Sequence, residues 1–199
     1  MTSARTASKP VAKSKKRAAS SAPSSPLRRA LSSARRSAPV VAVSNEAGRV
    51  GVSAAKAAPT QVERMLAALG SPFVEVSVTF VDDFAIRDLN REFRKKNKPT
   101  DVLSFPQLDA PLEALAAKGA TPTLLGDIVI SVPTALRQAT ERKHTLDREI
   151  VTLLAHGLLH LFGFDHRNDA EEREMDAYAR VLAAAAHNRA PLTLRLSRG

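Results

Sequence analysis

The clearest alternation of apolar and polar side chains covers residues 74–80, where every second residue is apolar. That pattern predicts a strand with one buried face. Three other short apolar runs, at residues 40–43, 102–105 and 127–131, are also predicted to be strands. The segment between the last two, residues 107–123, contains several alanines and prolines and is predicted to form a connection on the surface.

Apolar residues elsewhere recur every three or four positions, which is the period of a helix with one buried face. Five helices are predicted: residues 60–69, a segment capped by Asp82 or Asp83 that ends before Pro99, and residues 133–143, 146–162 and 170–186. The first two helices lie among the strands and the last three follow them, an order that indicates an α+β domain. We expect a small mixed β-sheet packed against several α-helices, with the helices covering one side of the sheet.

Positive charge is concentrated at the N-terminus. Ten of the 30 Lys and Arg residues lie between Met1 and Ala42, where there is no acidic residue, and the others balance the 20 Asp and Glu residues. Residues 1–39 are rich in Ser, Ala and Pro and have few large apolar side chains, so we predict a disordered basic arm. The folded domain is predicted to cover residues 40–190, followed by a short tail of residues 191–199.

The basic arm is compatible with three roles, which the composition leaves open: a solubilising arm, nonspecific attraction to nucleic-acid phosphates, or an organellar transit peptide. No apolar run approaches the roughly 18 residues of a membrane span, so a soluble protein without membrane association is expected, with a cytoplasmic location as the first choice. The chain contains no Cys, which means that any metal ion would be held by His and carboxylate side chains.

Three of the five histidines fall within the sequence HGLLHLFGFDH, residues 156–166. His156 and His160 are four residues apart on a predicted helix and therefore project from the same face. Gly163 permits a left-handed turn that ends the helix and brings His166 back toward them. Three imidazoles that leave a fourth position open are typical of a catalytic zinc site. We therefore predict one Zn²⁺ ion on these three histidines, with the open position available to water or substrate.

Two alternatives to a nuclease-type metal site exist for this cluster. Histidines on an apolar helix are often packed core residues, but burying two unpaired imidazoles would cost a few kcal/mol, which favours a metal. The spacing also equals that of the metzincin protease pattern HExxHxxGxxH. In that pattern the residue after the first His is the catalytic Glu, and here it is Gly157, so a metalloprotease is disfavoured.

A basic run covers residues 91–98, which contain five Lys or Arg residues and one acidic residue. One interpretation is a solvated helix end, because cations in a last turn complement the helix dipole. The other is a group of cationic donors that stabilise a phosphodiester transition state beside the metal site. The run by itself leaves both interpretations open.

Three motifs of this sequence resemble those of the YbeY family of bacterial metal-dependent endoribonucleases, which are also rRNA maturation factors. Residues 156–166 fit the family's H-G-x-L-H-L-x-G-[FY]-D-H pattern at every position. Residues 89–106, which contain the pairs Leu-Asn and Phe-Arg and the run KPTDVLSFP, look like its second signature, and residues 125–131 look like its third. One departure is that Arg94 is followed by Lys95, where the family often has Gly.

The resemblance implies a single α+β domain with zinc on His156, His160 and His166, and it implies that Arg94 faces the substrate phosphate. His156 and Arg94 are then the predicted catalytic residues. The implied activity is hydrolysis of single-stranded RNA, with roles in three-prime end maturation of small-subunit rRNA and in ribosome quality control. The implied partners are rRNA and the small ribosomal subunit. A rival hypothesis is a ribosome-assembly binding factor whose metal site is structural.

The general base has two candidates, Asp165 and Asp101, which lie in or next to the motifs. Asp165 is equally suited to orient a ligand imidazole from outside the metal shell. Two more polar residues of the motifs, Ser104 and Asp127, are candidates for contact with the site because strand ends often supply such groups. The remaining histidines, His144 and His187, are predicted to lie on the surface.

Overall fold

The computed structural model describes residues 39–70, 74–107, 123–164 and 168–188. The strands are β1 (Val40–Asn45), β2 (Val74–Val81), β3 (Val102–Pro106) and β4 (Thr123–Ser131). The α-helices are α1 (Val52–Ala68), α2 (Asp83–Arg94), α3 (Val132–Glu141), α4 (Leu146–Leu161) and α5 (Asp169–His187), and a short 3₁₀ turn covers Gly48–Gly51. The four strands and five helices confirm the predicted α+β class.

The strands form one mixed sheet in the order β1-β2-β4-β3. β1, β2 and β4 are parallel, with Val43 opposite Val78 and Val78 opposite Ile128. β3 runs antiparallel to β4 at the edge of the sheet and places Ser104 opposite Ile128. β3, which follows the basic run, therefore lies directly beside β4, the last strand before the helices α3, α4 and α5.

The main core lies between one face of the sheet and the helices α1, α4 and α5. The alternating residues of β2 that were predicted to face inward are all buried in it. The largest fully buried side chains of this core come from the sheet, from α1 and the residue that follows it, and from α4: Phe80, Leu125, Ile128, Ile130, Met65, Leu66, Leu69, Ile150, Leu154 and Leu158. The strands contribute every second residue to this core and the helices every third or fourth, which is why the spacing of apolar residues differs between them.

The opposite face of the sheet is also partly covered, which corrects the expectation that helices cover one side. Ile86 of α2 packs with Val81, Leu103 and Val129 in a second, smaller apolar cluster. Val129 and Leu103 face away from the main core because neighbouring strand residues point to opposite faces. The helix α2 therefore lies across β3 and β4 on the far side of the sheet.

Two carboxylates at the start of α2 have separate tasks. Asp82 caps the helix, since its side chain accepts a hydrogen bond of 2.8 Å from the backbone N–H of Ala85. Asp83 instead accepts hydrogen bonds from the hydroxyls of Ser131 and Thr134 at the start of α3. Burial acts to raise the pKa of Asp83, but these bonds and the guanidinium of Arg137 outweigh burial and lower it. The bonds fix the orientation of α2, and hence the position of its C-terminal end.

Two predicted boundaries were wrong. The first helix begins at Val52 and not at residue 60, because the alanine-rich segment before Pro59 is already helical and Pro59 lies inside the helix. β4 begins at Thr123 and not at residue 127, because the extra residues pair with the start of β2, where Val74 lies opposite Thr123. In both cases the observed element extends beyond its clearest apolar pattern, so the predicted element was too short.

Several sequence predictions concern residues outside the described ranges. These are the basic arm, except Pro39, most of the predicted surface connection, the C-terminal tail of residues 191–199, and the candidates Asp165 and His166. Within the described ranges, no helix has the length and apolar character needed to cross a membrane.

Candidate active site

The helix α4 approaches the sheet very closely at Gly157. A Cβ atom at this position would lie 3.0 Å from Cγ2 of Ile128 in β4 and 3.2 Å from the hydroxyl oxygen of Ser104 in β3. Real side chains seldom tolerate such short distances, so the absence of a side chain allows the helix to rest directly on these two strands. This contact brings the neighbouring His156 to the edge of the sheet.

His156 and His160 form a pair on one face of α4, as their spacing predicts. Their Nε2 atoms are 3.1 Å apart, and the two rings are inclined by 80°. Two ligand nitrogens about 2.0–2.1 Å from one tetrahedral ion would be about 3.3 Å apart. The separation of the two Nε2 atoms therefore fits a shared metal ion.

A backbone carbonyl sets the orientation of the second imidazole. Nδ1 of His160 lies 2.9 Å from the carbonyl oxygen of Phe164. Because a carbonyl oxygen only accepts hydrogen bonds, Nδ1 carries the proton that His160 donates to it. In the neutral ring, Nε2 then presents its lone pair toward His156, which is the tautomer that a metal ligand requires.

The third predicted ligand, His166, lies outside the described residues. Gly163, the residue predicted to reverse the chain before it, has a φ of 80° and thus takes the left-handed conformation. Its N–H donates to the carbonyl of His160, which ends the helix. Among the residues that the structure describes, no group of three His, Cys, Asp or Glu side chains is placed to hold a metal ion.

The end of α2 presents the basic run as an ordered loop. Arg94 is the last residue of the helix and is exposed. The buried Asn90 stabilises the loop that follows: its side-chain amide donates to the carbonyl of Lys98 over 2.7 Å, and its backbone carbonyl accepts from the N–H of Lys96. These hydrogen bonds fix the backbone of the loop that carries the cations directly after Arg94.

Lys95, the residue directly after Arg94, takes a backbone conformation that favours glycine. Its φ is 58°, in the left-handed region that disfavours residues with a Cβ atom. We expect Lys95→Gly to raise the free energy of unfolding by about 1 kcal/mol, because relief of this strain exceeds the entropy that glycine adds to the unfolded chain. Chemical denaturation would measure the change, with Lys96→Gly as a control that should not stabilise the protein. A loss of stability in Lys95→Gly would contradict this account.

One cleft brings the two predicted regions together. It has a volume of about 690 Å³ and is bordered by Arg94 from α2, by β3 and by His156 and His160 from α4. Arg94 and the histidine pair therefore border the same space, although about sixty residues separate them along the chain. The remaining lining residues are Phe93, Thr100, Asp101, Val102, Leu103, Ser104, Phe105, Pro106, Gly163 and Phe164.

Asp101, one of the two candidate bases, borders the cleft but uses both of its carboxylate oxygens elsewhere. One oxygen accepts from the amide of Gln138 at 3.0 Å, and the other accepts from the Val102 N–H at 2.9 Å and the Thr100 hydroxyl at 3.1 Å. Burial acts to raise the pKa of Asp101, but these hydrogen bonds outweigh burial and lower it below its usual value. A lowered pKa suits an anchor between β3 and α3 better than a general base.

Replacement of Asp101 should therefore reduce stability in a pH-dependent way. The folded-state pKa lies below the unfolded value of about 3.9, so the carboxylate stabilises the fold at neutral pH, and this contribution is lost as the pH falls through the folded pKa. We expect Asp101→Asn to lower the free energy of unfolding by about 1–3 kcal/mol at pH 7, with a smaller difference below about pH 4. Denaturation at several pH values would measure it, and Asp88→Asn on the exposed side of α2 serves as the control. A difference that grows toward low pH would contradict this assignment.

The other polar residues singled out in the sequence differ in their position relative to the cleft and the surface. Ser104 borders the cleft, whereas Asp127 is absent from the lining and accepts a hydrogen bond from the side chain of Gln107. His187 is about half exposed, as predicted. His144 is not a surface histidine: its side chain is 15% exposed, and its Nε2 lies 2.9 Å from the buried carboxylate of Glu149. The buried carboxylate draws the imidazole inward, an effect that local sequence does not reveal.

Two features of the cleft were missed by sequence reasoning. The sequence pattern marks Gly157 only as the position where a protease would have its catalytic Glu, but its lack of a side chain allows the contact between α4 and the sheet. Phe93 continues, at helical spacing, the apolar stripe that Ile86 and Leu89 form on α2, yet it is 58% exposed and borders the cleft. The sequence signal for Phe93 is its position at the end of the apolar stripe, directly before Arg94.

The fold and the site define an α+β domain with an open cleft, in which a histidine pair from a buried helix faces a cationic helix end. The model of one protein family, described as Endoribonuclease YbeY, matches residues 43–186. Because this match covers well over half of the chain, the protein belongs to the YbeY family.

Individual relatives agree with this assignment. A protein of Moorella thermoacetica named Endoribonuclease YbeY is 50% identical over 111 residues, which cover 55% of this chain and 71% of that protein. A protein of the same name from Bacillus cereus is 49% identical over 102 residues, covering 51% of this chain and 65% of the relative, slightly less than two thirds. A solution structure of a Thermotoga maritima protein has a TM-score of 0.51 and 25% identity, covering 74% of this chain and 89% of that one.

Proposed function

We propose that this protein is a metal-dependent endoribonuclease that hydrolyses phosphodiester bonds in single-stranded RNA. We further propose that it acts in rRNA processing in the cytoplasm, at the three-prime end of small-subunit rRNA, and in ribosome quality control. Membership of a family named for endoribonuclease activity supports the reaction class. The finer role, including the small ribosomal subunit as a partner, follows from the family resemblance of the three motifs.

A single observation carries the proposal: Arg94 and the pair of His156 and His160 border the same cleft. A phosphodiester is anionic and gains further charge on its phosphoryl oxygens as water attacks. A guanidinium offers planar, paired donors to such oxygens, and the imidazoles are suited to hold the cation that phosphodiester hydrolysis commonly uses. The cleft thus combines two kinds of group that commonly assist this reaction.

The residues fit a zinc ion, and His156, His160 and His166 would hold it. The fit rests on the 3.1 Å separation of the two Nε2 atoms and on the carbonyl of Phe164, which sets the tautomer of His160. When bound, zinc supplies a Lewis acid that polarises a phosphoryl oxygen or lowers the pKa of water. Three protein ligands are the usual number for a zinc site that acts on a substrate.

Three side chains of the protein have separate roles in substrate binding, in anchoring the site and in proton transfer. Arg94, at the exposed end of α2, binds the scissile phosphate and offsets the charge that develops on it. Asp101 keeps β3 anchored to α3, since its oxygens already accept three hydrogen bonds. The engagement of Asp101 favours Asp165, beside the third histidine of the motif, as the group that accepts a proton from water.

Cleavage of a labelled single-stranded RNA tests the proposal most directly. The wild-type protein should produce internal cuts, and Arg94→Ala should reduce the rate by about a hundredfold, as the loss of one charged transition-state contact commonly does. Arg91→Ala is the matched control, because Arg91 lies on the same helix but outside the cleft lining and pairs with Asp88.

Two results would contradict the proposal. Equal cleavage by the wild-type protein and Arg94→Ala would indicate a contaminating nuclease. Binding of RNA without any cleavage, in a preparation that contains metal, would favour the binding-factor hypothesis instead.

A further inference from the structure

Phe93 has an unusual position for an apolar side chain of α2. It continues the helix face of Ile86 and Leu89, which pack into the small cluster under the sheet. Ile86 is fully buried, whereas Phe93, one turn beyond Leu89, is 58% exposed. The stripe thus runs past the apolar cluster and ends with an aromatic ring on the wall of the cleft.

A second aromatic residue holds this ring in place. The centroids of Phe93 and Phe105 are 5.0 Å apart, and the ring planes are inclined by 70°, an edge-to-face contact. Phe105 comes from β3 and also borders the cleft. The contact supports Phe93 from the sheet, while more than half of its surface remains accessible. The ring is therefore a platform, a fixed aromatic surface on which a ligand can stack.

The charge around Phe93 indicates what the platform binds. Every residue of the segment 94–98 is exposed, and four of its five residues are Lys or Arg. The structure describes no acidic residue in the cleft lining other than Asp101, whose oxygens are engaged. An exposed aromatic ring beside a row of cations is the arrangement with which proteins bind single-stranded nucleic acids, through base stacking and phosphate contacts respectively.

We propose that Phe93 stacks on a nucleobase adjacent to the phosphate bound by Arg94. This inference rests on the proposed function and extends it to a substrate-binding residue. A base stacked on Phe93 must be unpaired and turned out of a helix, because paired bases in a duplex stack on each other. Phe93 thereby contributes to a preference for single strands over duplexes, with little dependence on base identity because every base has a π-face.

The chain contains no Trp, so Phe93→Trp introduces a single fluorescent reporter at the platform. Mixing this full-length variant with a 12-nucleotide single-stranded RNA should quench the tryptophan fluorescence as the base stacks, whereas the same sequence as a duplex should leave it nearly unchanged. Phe84→Trp is the matched control: Phe84 is on the same helix and 69% exposed, but it is absent from the cleft lining. Equal quenching of both variants, or none at Phe93→Trp despite binding, would overturn the proposal.

Affinity measurements give a second, independent readout. Phe93→Leu retains an apolar contact for Phe105 but removes the aromatic face, and it should weaken binding of the single-stranded RNA by about 5- to 100-fold. The loss should persist at high salt, whereas the loss caused by Arg94→Ala should shrink as salt rises, because only the latter removes a phosphate contact. Phe84→Leu should bind like the wild type.

The outcomes separate this inference from the proposed function. If the wild type cleaves RNA and Phe93→Leu binds it with unchanged affinity, stacking is refuted and the nuclease assignment stands. If the wild type neither binds nor cleaves single-stranded RNA, both are refuted. Quenching by an acidic peptide as strong as that by RNA would also overturn the stacking proposal, since it would show that charge alone brings a ligand to the ring.

Discussion

If the proposed zinc site is correct, His156→Ala is expected to abolish metal binding and to reduce RNA cleavage by more than about a hundredfold. Loss of a residue that merely orients a metal ligand commonly costs 10- to 100-fold in metal affinity or activity, so loss of a ligand itself should cost more. The Nε2 atoms of His156 and His160 are 3.1 Å apart, so either histidine alone would leave the ion with an incomplete set of ligands. Metal analysis of the purified protein and a cleavage assay would measure both effects.

His187→Ala is the matched control for His156→Ala, and His166→Ala is a second test of the proposed metal site. His187→Ala should keep full metal content and activity, because His187 lies near the end of α5, about half exposed and 3.8 Å from Asp147. His166→Ala should behave like His156→Ala if the third histidine of the motif completes the site. One zinc ion per chain in the wild type, retained in His156→Ala, would show that the ion is bound elsewhere.

Gly157→Glu is expected to prevent stable folding, even though it introduces the glutamate that the metzincin pattern has at this position. The new Cβ would lie 3.0 Å from Ile128 and 3.2 Å from the hydroxyl oxygen of Ser104. Overpacking of this kind costs about 1–3 kcal/mol, and a carboxylate forced between α4 and the sheet adds several kcal/mol more. Because natural domains are stable by only about 5–15 kcal/mol, we expect loss of the soluble protein and no peptidase activity.

A smaller substitution keeps this packing argument testable in a folded protein. Gly157→Ala should lower the free energy of unfolding by about 1–2 kcal/mol, although alanine at an exposed helix position would raise it by about 1 kcal/mol. Thr152→Ala, on the exposed side of the same helix, should be neutral or slightly stabilising. A stabilising Gly157→Ala would mean that α4 can move away from β3 and β4 without cost.

The histidine pair shows what a local pattern predicts well. A separation of four residues places two side chains on one face of any α-helix, so the spacing of His156 and His160 by itself predicted their proximity. The capping of α2 by Asp82 and the left-handed turn at Gly163 are equally local, since each depends on a few neighbouring backbone groups. These features needed no information about the rest of the fold.

The buried pair of His144 and Glu149 shows where local patterns fail. Glu149 reads as an ordinary polar residue in the first turn of a helix, yet it is fully buried, with Arg142 and His144 around its carboxylate. Its burial results from the way α4 packs against the rest of the domain. The early start of α1 is a similar case, because Pro59 would usually mark a boundary, and here the helix continues through it.

The amino-acid sequence by itself determined the α+β class, the four strands and five helices, the histidine pair and the cationic end of α2, because each depends on the period of side chains along one element. The tertiary structure decided that Arg94 and the histidines share one cleft, that Gly157 is the contact between helix and sheet, and that Phe93 stands on the cleft wall. The physical reason is that these relations join residues far apart in the chain. They arise only when β3 pairs with β4 and the helices α2 and α4 close on opposite faces of the sheet.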